Sequence, residues 1–338
     1  MIGYYIHHQG LGHRTRATGI ARQLEVPVVG FSSLAAPEDW PGQWCTLPMD
    51  VPRRPVDPTA NGVLHWAPLD HAGYRERMRL MAEYLGSELS VMVTDTSAEV
   101  TLLARLFGVR TVVMAMRGKR TDRTHRDAYD AASMIVAPWT AESAEDYWPR
   151  EWTDKTVFAG AISRFDHLAV TPVAATDDVA RSDSRRKVLV VWGGGGTDVT
   201  DSDIDRARLA TPDWDWTVRS PANPSPDLWA DLQAADVVVS HAGNNAVAEL
   251  SAAARPAVVI AQPRPFDEQH ATALALEKAG VCTALDHWPV PDQWHSLLEN
   301  ARERGGSGWA RWRYDRGARR AAQAIERLDD VALTCEPR

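Results

Sequence analysis

The sequence predicts an α/β protein of two domains, each a mostly parallel sheet flanked by helices, with a cleft between them. Three observations lead there. Short apolar runs alternate with helical patterns along both halves, as in βαβ units. Residues 169–187 (AVTPVAATDDVARSDSRRK) interrupt that alternation with Pro, Asp, Ser and Arg and no apolar period. The alternation restarts at Val188, and 338 residues exceed what one core usually holds. The expected division is therefore 1–168, a connection over 169–187, and 188–330.

In the first half, strands are expected over 2–6, 26–31, 91–94, 111–115, 134–137 and 156–159, with helices over 14–24 and 98–107. The second half reads as strands over 188–192, 214–218, 237–240, 257–261 and 281–285, with helices over 227–234, 245–254 and 270–279. A last helix, 309–328, could cross back to the first domain. In open sheets of this kind ligands collect outside the carboxyl ends of the strands, which puts any site in the cleft.

Composition narrows the function. A net charge of −8 argues against non-specific nucleic-acid binding, which needs a basic surface to neutralise phosphates. No apolar run reaches the length of a membrane span, and the first residues enter a strand without a signal-peptide pattern. Cys45, Cys282 and Cys335 are far apart, so disulfide and metal frameworks are not expected and a reducing cytoplasm is the natural compartment. Fourteen Trp stand against five Phe, and several, such as Trp40, Trp148, Trp152 and Trp288, sit beside Pro or charge, as cleft and rim positions do.

The most informative segment is 237–280, VVVSHAGNNAVAELSAAARPAVVIAQPRPFDEQHATALALEKAG. It reads as strand, small-residue turn, helix, strand, acidic-amide turn, helix. Gly243, Asn244 and Asn245 open the first helix, so free N–H groups and the positive end of its dipole point into the cleft, a cradle for diphosphate. His241, at the strand's carboxyl end, can add a hydrogen bond or a positive charge to the same phosphate. Glu249 could accept from ribose hydroxyls, while Asp267, Glu268 and Gln269 follow the next strand, where an attached sugar would lie. The plain alternative is a tight strand–helix turn at Gly243 and a solvated Glu249.

This segment resembles the donor motif of GT-B glycosyltransferases, in particular the UDP-glycosyltransferases and the lipid II N-acetylglucosaminyltransferase. The matching residues are His241-Ala242-Gly243, Glu249, Arg255-Pro256 and Glu268-Gln269-His270-Ala271, with Ala254 replacing the usual Gly and His270 departing from the usual ending. The resemblance implies two Rossmann-like domains. It also implies that His241 and Asn244 bind diphosphate, Glu249 the ribose, and Glu268 and Gln269 the sugar. It assigns base selection to residues 219–229, which begin at Arg219.

On the other side of the expected cleft, the first strand ends in His7-His8-Gln9-Gly10-Leu11-Gly12-His13. Gly10 and Gly12 allow a sharp turn and close approach to a helix N-terminus. The stretch resembles the G-x-G-H-x-x-R opening of several GT-B enzymes, including a "GLGH" glycosyltransferase group. There the His removes a proton from the acceptor hydroxyl and a carboxylate on a later strand holds the His. By that resemblance His13 is the base and Asp95 its support, with Gly10, Gly12 and Arg16 at the acceptor. The alternatives are a capping or phosphate-contacting His13 and an N-capping Asp95. His7 and His8 are expected on opposite faces of the strand, so that one of them, His8, reaches the cleft.

Gly193–Gly196 end the first strand of the second domain, and Gly194, Gly195 and the Thr197 hydroxyl could approach phosphate. The basic run 117–126, with Arg117 and Arg120, could hold an anionic acceptor. The aromatic and Arg-rich run 309–320 could lie on an anionic membrane surface, although a solvated helix face with its aromatics inward is commoner.

The combined expectation is an inverting transfer of a sugar from a UDP- or dTDP-linked donor to a hydroxyl on a glycan, lipid-linked or small acceptor. No metal and no cofactor are expected. Rivals are a nucleotide-sugar hydrolase, which shares the Gly10-x-Gly12-His13-x-x-Arg16 opening, a non-hydrolysing epimerase whose acidic residues are not evident, and a binding protein without turnover.

Overall fold

The computed structural model describes residues 1–168 and 185–334, the last four by backbone alone. Its first sheet holds β1 (Ile2–Ile6), β2 (Val28–Ser32), β3 (Gln43–Thr46), β4 (Val91–Asp95), β5 (Arg110–Met114), β6 (Met134–Ala137) and β7 (Thr156–Phe158), all parallel, in the order β3-β2-β1-β4-β5-β6-β7. The helices that accompany it are α1 (Leu11–Ala21), α2 (Ala72–Leu85), α3 (Ala98–Leu106), α4 (Arg123–Ala131) and the short α5 (Arg150–Thr153). β1 and β4 are buried at every position, as central parallel strands covered on both faces must be.

The second sheet, also parallel, runs β12-β11-β10-β8-β9. Its strands are β8 (Arg186–Val191), β9 (Trp214–Arg219), β10 (Val237–His241), β11 (Ala257–Ile260) and β12 (Thr283–Leu285), with helices α6 (Asp201–Ala210), α7 (Leu228–Ala234), α8 (Asn244–Ala253), α9 (Glu268–Lys278) and α10 (Trp294–Arg304). Most of the expected connection lies outside the described residues, but Arg186 and Lys187 already belong to β8, where Lys187 N–H donates to Asp236.

The first helix starts three residues earlier than expected. Gly10, at φ +87°, turns the chain directly off β1, so α1 begins at Leu11 and carries His13 in its first turn. β3 and α2 carry no clear period in the sequence and appear only in the structure.

The last helix, α11 (Gly317–Thr334), returns to the first sheet: Ala318, Ala321, Ala322 and Ile325 pack with Ile2, Ala17 and Ile20. Just before it, Trp309 and Trp312 are buried, and the Trp309 indole N–H donates to Arg255 O at 2.9 Å. Two aromatics of this run, Trp309 and Trp312, therefore face inward, while Tyr314 is half-buried. Among the described residues no helix is long and apolar enough to cross a membrane.

Candidate active site

The carboxyl ends of both sheets meet. Asn245, in the first turn of α8, donates its amide to Gly12 O at 3.0 Å, so the N-termini of α8 and α1 touch across the domains. The approach at Gly12 is close: a Cβ there would lie 3.1 Å from that amide.

On the α8 side the helix begins at Gly243 with no side-chain cap and no acidic residue in its first turn, which leaves N–H groups facing the cleft. His241 is oriented for them. Its Nδ1 accepts from Gly243 N–H at 3.0 Å, and its ring lies parallel to Trp192, 6.4 Å between centroids. Burial, aided by nearby Arg264, lowers its pKa to about 4, so it is neutral at pH 7. With Nδ1 accepting, the ring proton sits on Nε2, and His241 is a hydrogen-bond donor rather than the cation the sequence left open. Gly193 makes room for that nitrogen: a Cβ on Gly193 would meet His241 Nε2 at 2.7 Å.

On the α1 side, His13 Nδ1 lies 2.9 Å from Asp95 Oδ1. Asp95 is fully buried at the end of β4, and Arg16 grips both its oxygens, Nη2 to Oδ1 at 2.6 Å and Nε to Oδ2 at 3.2 Å. Burial alone would raise this carboxyl, but Arg16 and His13 outweigh it and hold it at about 2. An ionised carboxylate only accepts, so His13 Nδ1 is the donor, and in the neutral ring Nε2 carries the lone pair. The cap of α3 is Ser97, whose side chain accepts from Val100 N–H, so the capping alternative for Asp95 does not hold.

Three contacts tie the rim between these two halves. Arg120 Nη2 reaches Glu268 Oε2 at 3.1 Å, Lys119 Nζ reaches Asp267 at 3.0 Å, and Lys119 N–H donates to Phe266 O at 2.7 Å. Gly118 permits that approach, since a Cβ there would strike Phe266 O at 2.2 Å.

Residues 220–304 match the glycosyltransferase family 28 C-terminal domain. Solved structures similar over the whole chain include the glycotransferase of kitacinnamycin (TM-score 0.67, 17% identity, 97% of this chain and 98% of that one). Acinetobacter baumannii MurG aligns with TM-score 0.61 and 16% identity, over 98% and 99% of the two chains. LpCGTa, solved in complex with UDP, aligns with TM-score 0.62 and 14% identity over 99% of each chain. The chain has the GT-B glycosyltransferase fold. No curated protein matches it in sequence.

Within this GT-B cleft several residues stand elsewhere than the sequence suggested. Arg16 does not face an acceptor; it is the buried clamp on Asp95. Arg117 is also buried, between Trp139 (4.4 Å) and Trp312 (4.7 Å), with Nη2 donating to Ser143; burial lowers its pKa to about 10. Arg120 is buried against Phe266 and Glu268, so it joins the domains rather than opening toward an acceptor. β1 stops at Ile6, so His7 and His8 do not alternate: their rings stack at 4.8 Å, and His8 Nε2 lies 3.9 Å from Asp50.

The Thr197 hydroxyl donates to Gln262 Oε1 at 3.0 Å, and Gly195 O accepts from Arg264 at 2.7 Å, so the glycine loop is braced by the turn after β11. Gly194 is exposed and nothing would oppose a Cβ there. Gln269 is buried, its carbonyl accepting from Gln262 N–H at 3.0 Å while its amide Nε2 faces Gly243. Glu249 pairs with Arg164 at 2.8 Å; burial raises its pKa against that pairing.

Arg164 also lines a cavity of about 510 Å³ with Phe165, Trp192, Arg219, Ser220 and Trp229. Arg219 is held there by Asp231 at 2.7 Å. Sequence reasoning missed Arg164 and Arg264, and it gave neither Arg16 its role as the clamp on Asp95 nor Gly193 its role in making room for His241. Only Arg16, one helical turn beyond His13, had a local signal for its actual role.

Proposed function

We propose that the protein transfers a sugar from a nucleotide-diphosphate donor, UDP or dTDP linked, to a hydroxyl acceptor with inversion and without a metal at the diphosphate. The acceptor hydroxyl attacks the anomeric carbon and its proton passes to His13 Nε2, which Asp95 and Arg16 orient. The anomeric carbon–oxygen bond breaks, and the departing diphosphate takes hydrogen bonds from His241 Nε2–H and the N–H groups at the start of α8. The cavity beside Arg219 and Trp229 suits the nucleoside. Gln269 Nε2, and Glu268 once Arg120 yields, suit the sugar.

The observation that carries this reading is the juxtaposition of the His13–Asp95 hydrogen bond on one domain with a neutral, donor-oriented His241 on the other, joined by the Asn245–Gly12 contact. Product analysis with a panel of UDP- and dTDP-sugars, with and without hydroxyl acceptors, tests it. Acceptor-dependent nucleotide release with a new glycoside is expected. Free sugar at full rate without acceptor would make the protein a hydrolase, and binding without turnover would make it a binding protein.

A further inference from the structure

Outside the His13–Asp95 pair, the first domain brings two imidazoles and a carboxylate to one point. His65 lies in the long segment between β3 and α2, Asp122 is the N-cap of α4, and His125 is in the first turn of that helix. His65 Nε2 and His125 Nδ1 are 3.2 Å apart, with ring planes inclined at 66°. Asp122 Oδ2 is 2.5 Å from His125 Nδ1, and its Oδ1 is 3.7 Å from His65 Nε2. Metal–ligand bonds of 2.0–2.1 Å in a tetrahedron place ligand atoms about 3.3 Å apart; the two imidazole nitrogens stand at that spacing, while Asp122 Oδ2, hydrogen-bonded to His125 Nδ1, must move back when a metal replaces the shared proton.

We propose that His65, Asp122 and His125 bind a divalent transition metal of the zinc class. Two imidazole nitrogens and one carboxylate suit that class and are a poor match for magnesium or calcium, which take oxygen ligands. The ligands are held in advance. Glu99 Oε1 accepts from the backbone N–H of both His65 (2.6 Å) and Trp66 (3.1 Å), fixing the loop at the ligand. Asp122 caps His125 N–H through Oδ1 at 3.2 Å, which fixes its carboxylate, and Oδ2 exchanges its hydrogen bond with His125 Nδ1 for the metal.

A small cavity of about 30 Å³, lined by His65, Thr96, Ser97, Met116, His125 and Tyr129, adjoins the cluster. It has room for a water as fourth ligand, and its lining includes Thr96, the residue after Asp95. Phe266 of the second domain covers the group, 4.7 Å from the His125 ring.

One neighbour must adjust. Arg120 Nη1 lies 3.1 Å from His125 Nε2, which carries the ring proton when Nδ1 binds metal. The guanidinium then rests on Glu268 Oε2 and on Arg117 O, its partners at 3.1 and 3.2 Å.

Chelator-stripped protein is titrated with Zn²⁺ by calorimetry and with Co²⁺ by visible absorption. One equivalent is expected to bind, with the absorption of low-coordinate Co²⁺. His65→Ala lowers affinity at least about 100-fold, and Asp122→Asn at least about 10-fold. Asn caps a helix as well as Asp, so Asp122→Asn keeps the fold while removing the anionic ligand, and circular dichroism checks that both variants are folded. Absence of stoichiometric binding, or unchanged affinity in both folded variants, overturns the proposal.

Discussion

Replacing Asp95 by Asn separates what the buried pair does for the fold from what it does for catalysis. In the protein Asp95 is fully buried and Arg16 is 4% exposed, so the substitution strands a guanidinium away from water. Breaking a buried ion pair from one side costs about 3–5 kcal/mol. Removing both charges, in Arg16→Met/Asp95→Asn, leaves no stranded ion, so most of that loss is recovered. Activity behaves differently, because His13 needs the carboxylate to fix its Nδ1–H and free its Nε2. Loss of a positioned general base costs about 10²–10⁴ in kcat, or about 3–5 kcal/mol in barrier. Urea unfolding and nucleotide release from a UDP-sugar, measured on wild type and both variants, give the two quantities. Stability falls in Asp95→Asn and returns in the double variant, while kcat stays low in both. If kcat returned together with stability, Asp95 would be a structural residue only and the proton-transfer role would be refuted.

Further predictions come from other parts of the cleft. Gly193→Ala pushes a methyl into His241 Nε2 and weakens UDP binding about 10-fold, the worth of one good hydrogen bond to a charged group, as read by calorimetry. Gly118→Ala drives a Cβ onto Phe266 O from a φ of +91° and lowers stability by about 1–3 kcal/mol in thermal unfolding. Burial raises the Asp166 carboxyl from 3.8 to about 6. The native state therefore binds its proton more tightly than the unfolded chain, and stability falls as pH rises from about 4 to 6. Asp166→Asn should add up to about 2 kcal/mol at pH 7.5, after discounting for partial exposure, and little at pH 3.5; equal gains at both pH values would contradict this.

The fold was legible wherever local pattern decided it. The run 237–280 carries strand, turn and helix in its own periodicity, and β10, α8, β11 and α9 follow it closely. Gly10, His13 and Arg16 likewise sit close together in sequence. What remained hidden depends on partners distant in the chain. Arg120 reads as a free basic residue until Glu268, 148 positions away, is folded against it. Arg117 looks equally exposed until Trp139 and Trp312 close over it. His65 is 60 positions from His125 and lies in a stretch without apolar period, so no spacing announced the cluster. Charge along a sequence shows which groups exist; burial and pairing decide which of them can meet a ligand.

The central claim is that one cleft binds a nucleotide sugar on the second domain and activates a hydroxyl from the first. Its most direct test is mass spectrometry of the products formed from UDP- and dTDP-sugars with a hydroxyl-acceptor panel, comparing wild type with His13→Ala. The account predicts a new glycoside and released nucleoside diphosphate in wild type. His13→Ala should still bind donor but turn over at least about 100-fold more slowly. Equal glycoside formation by both proteins would contradict it.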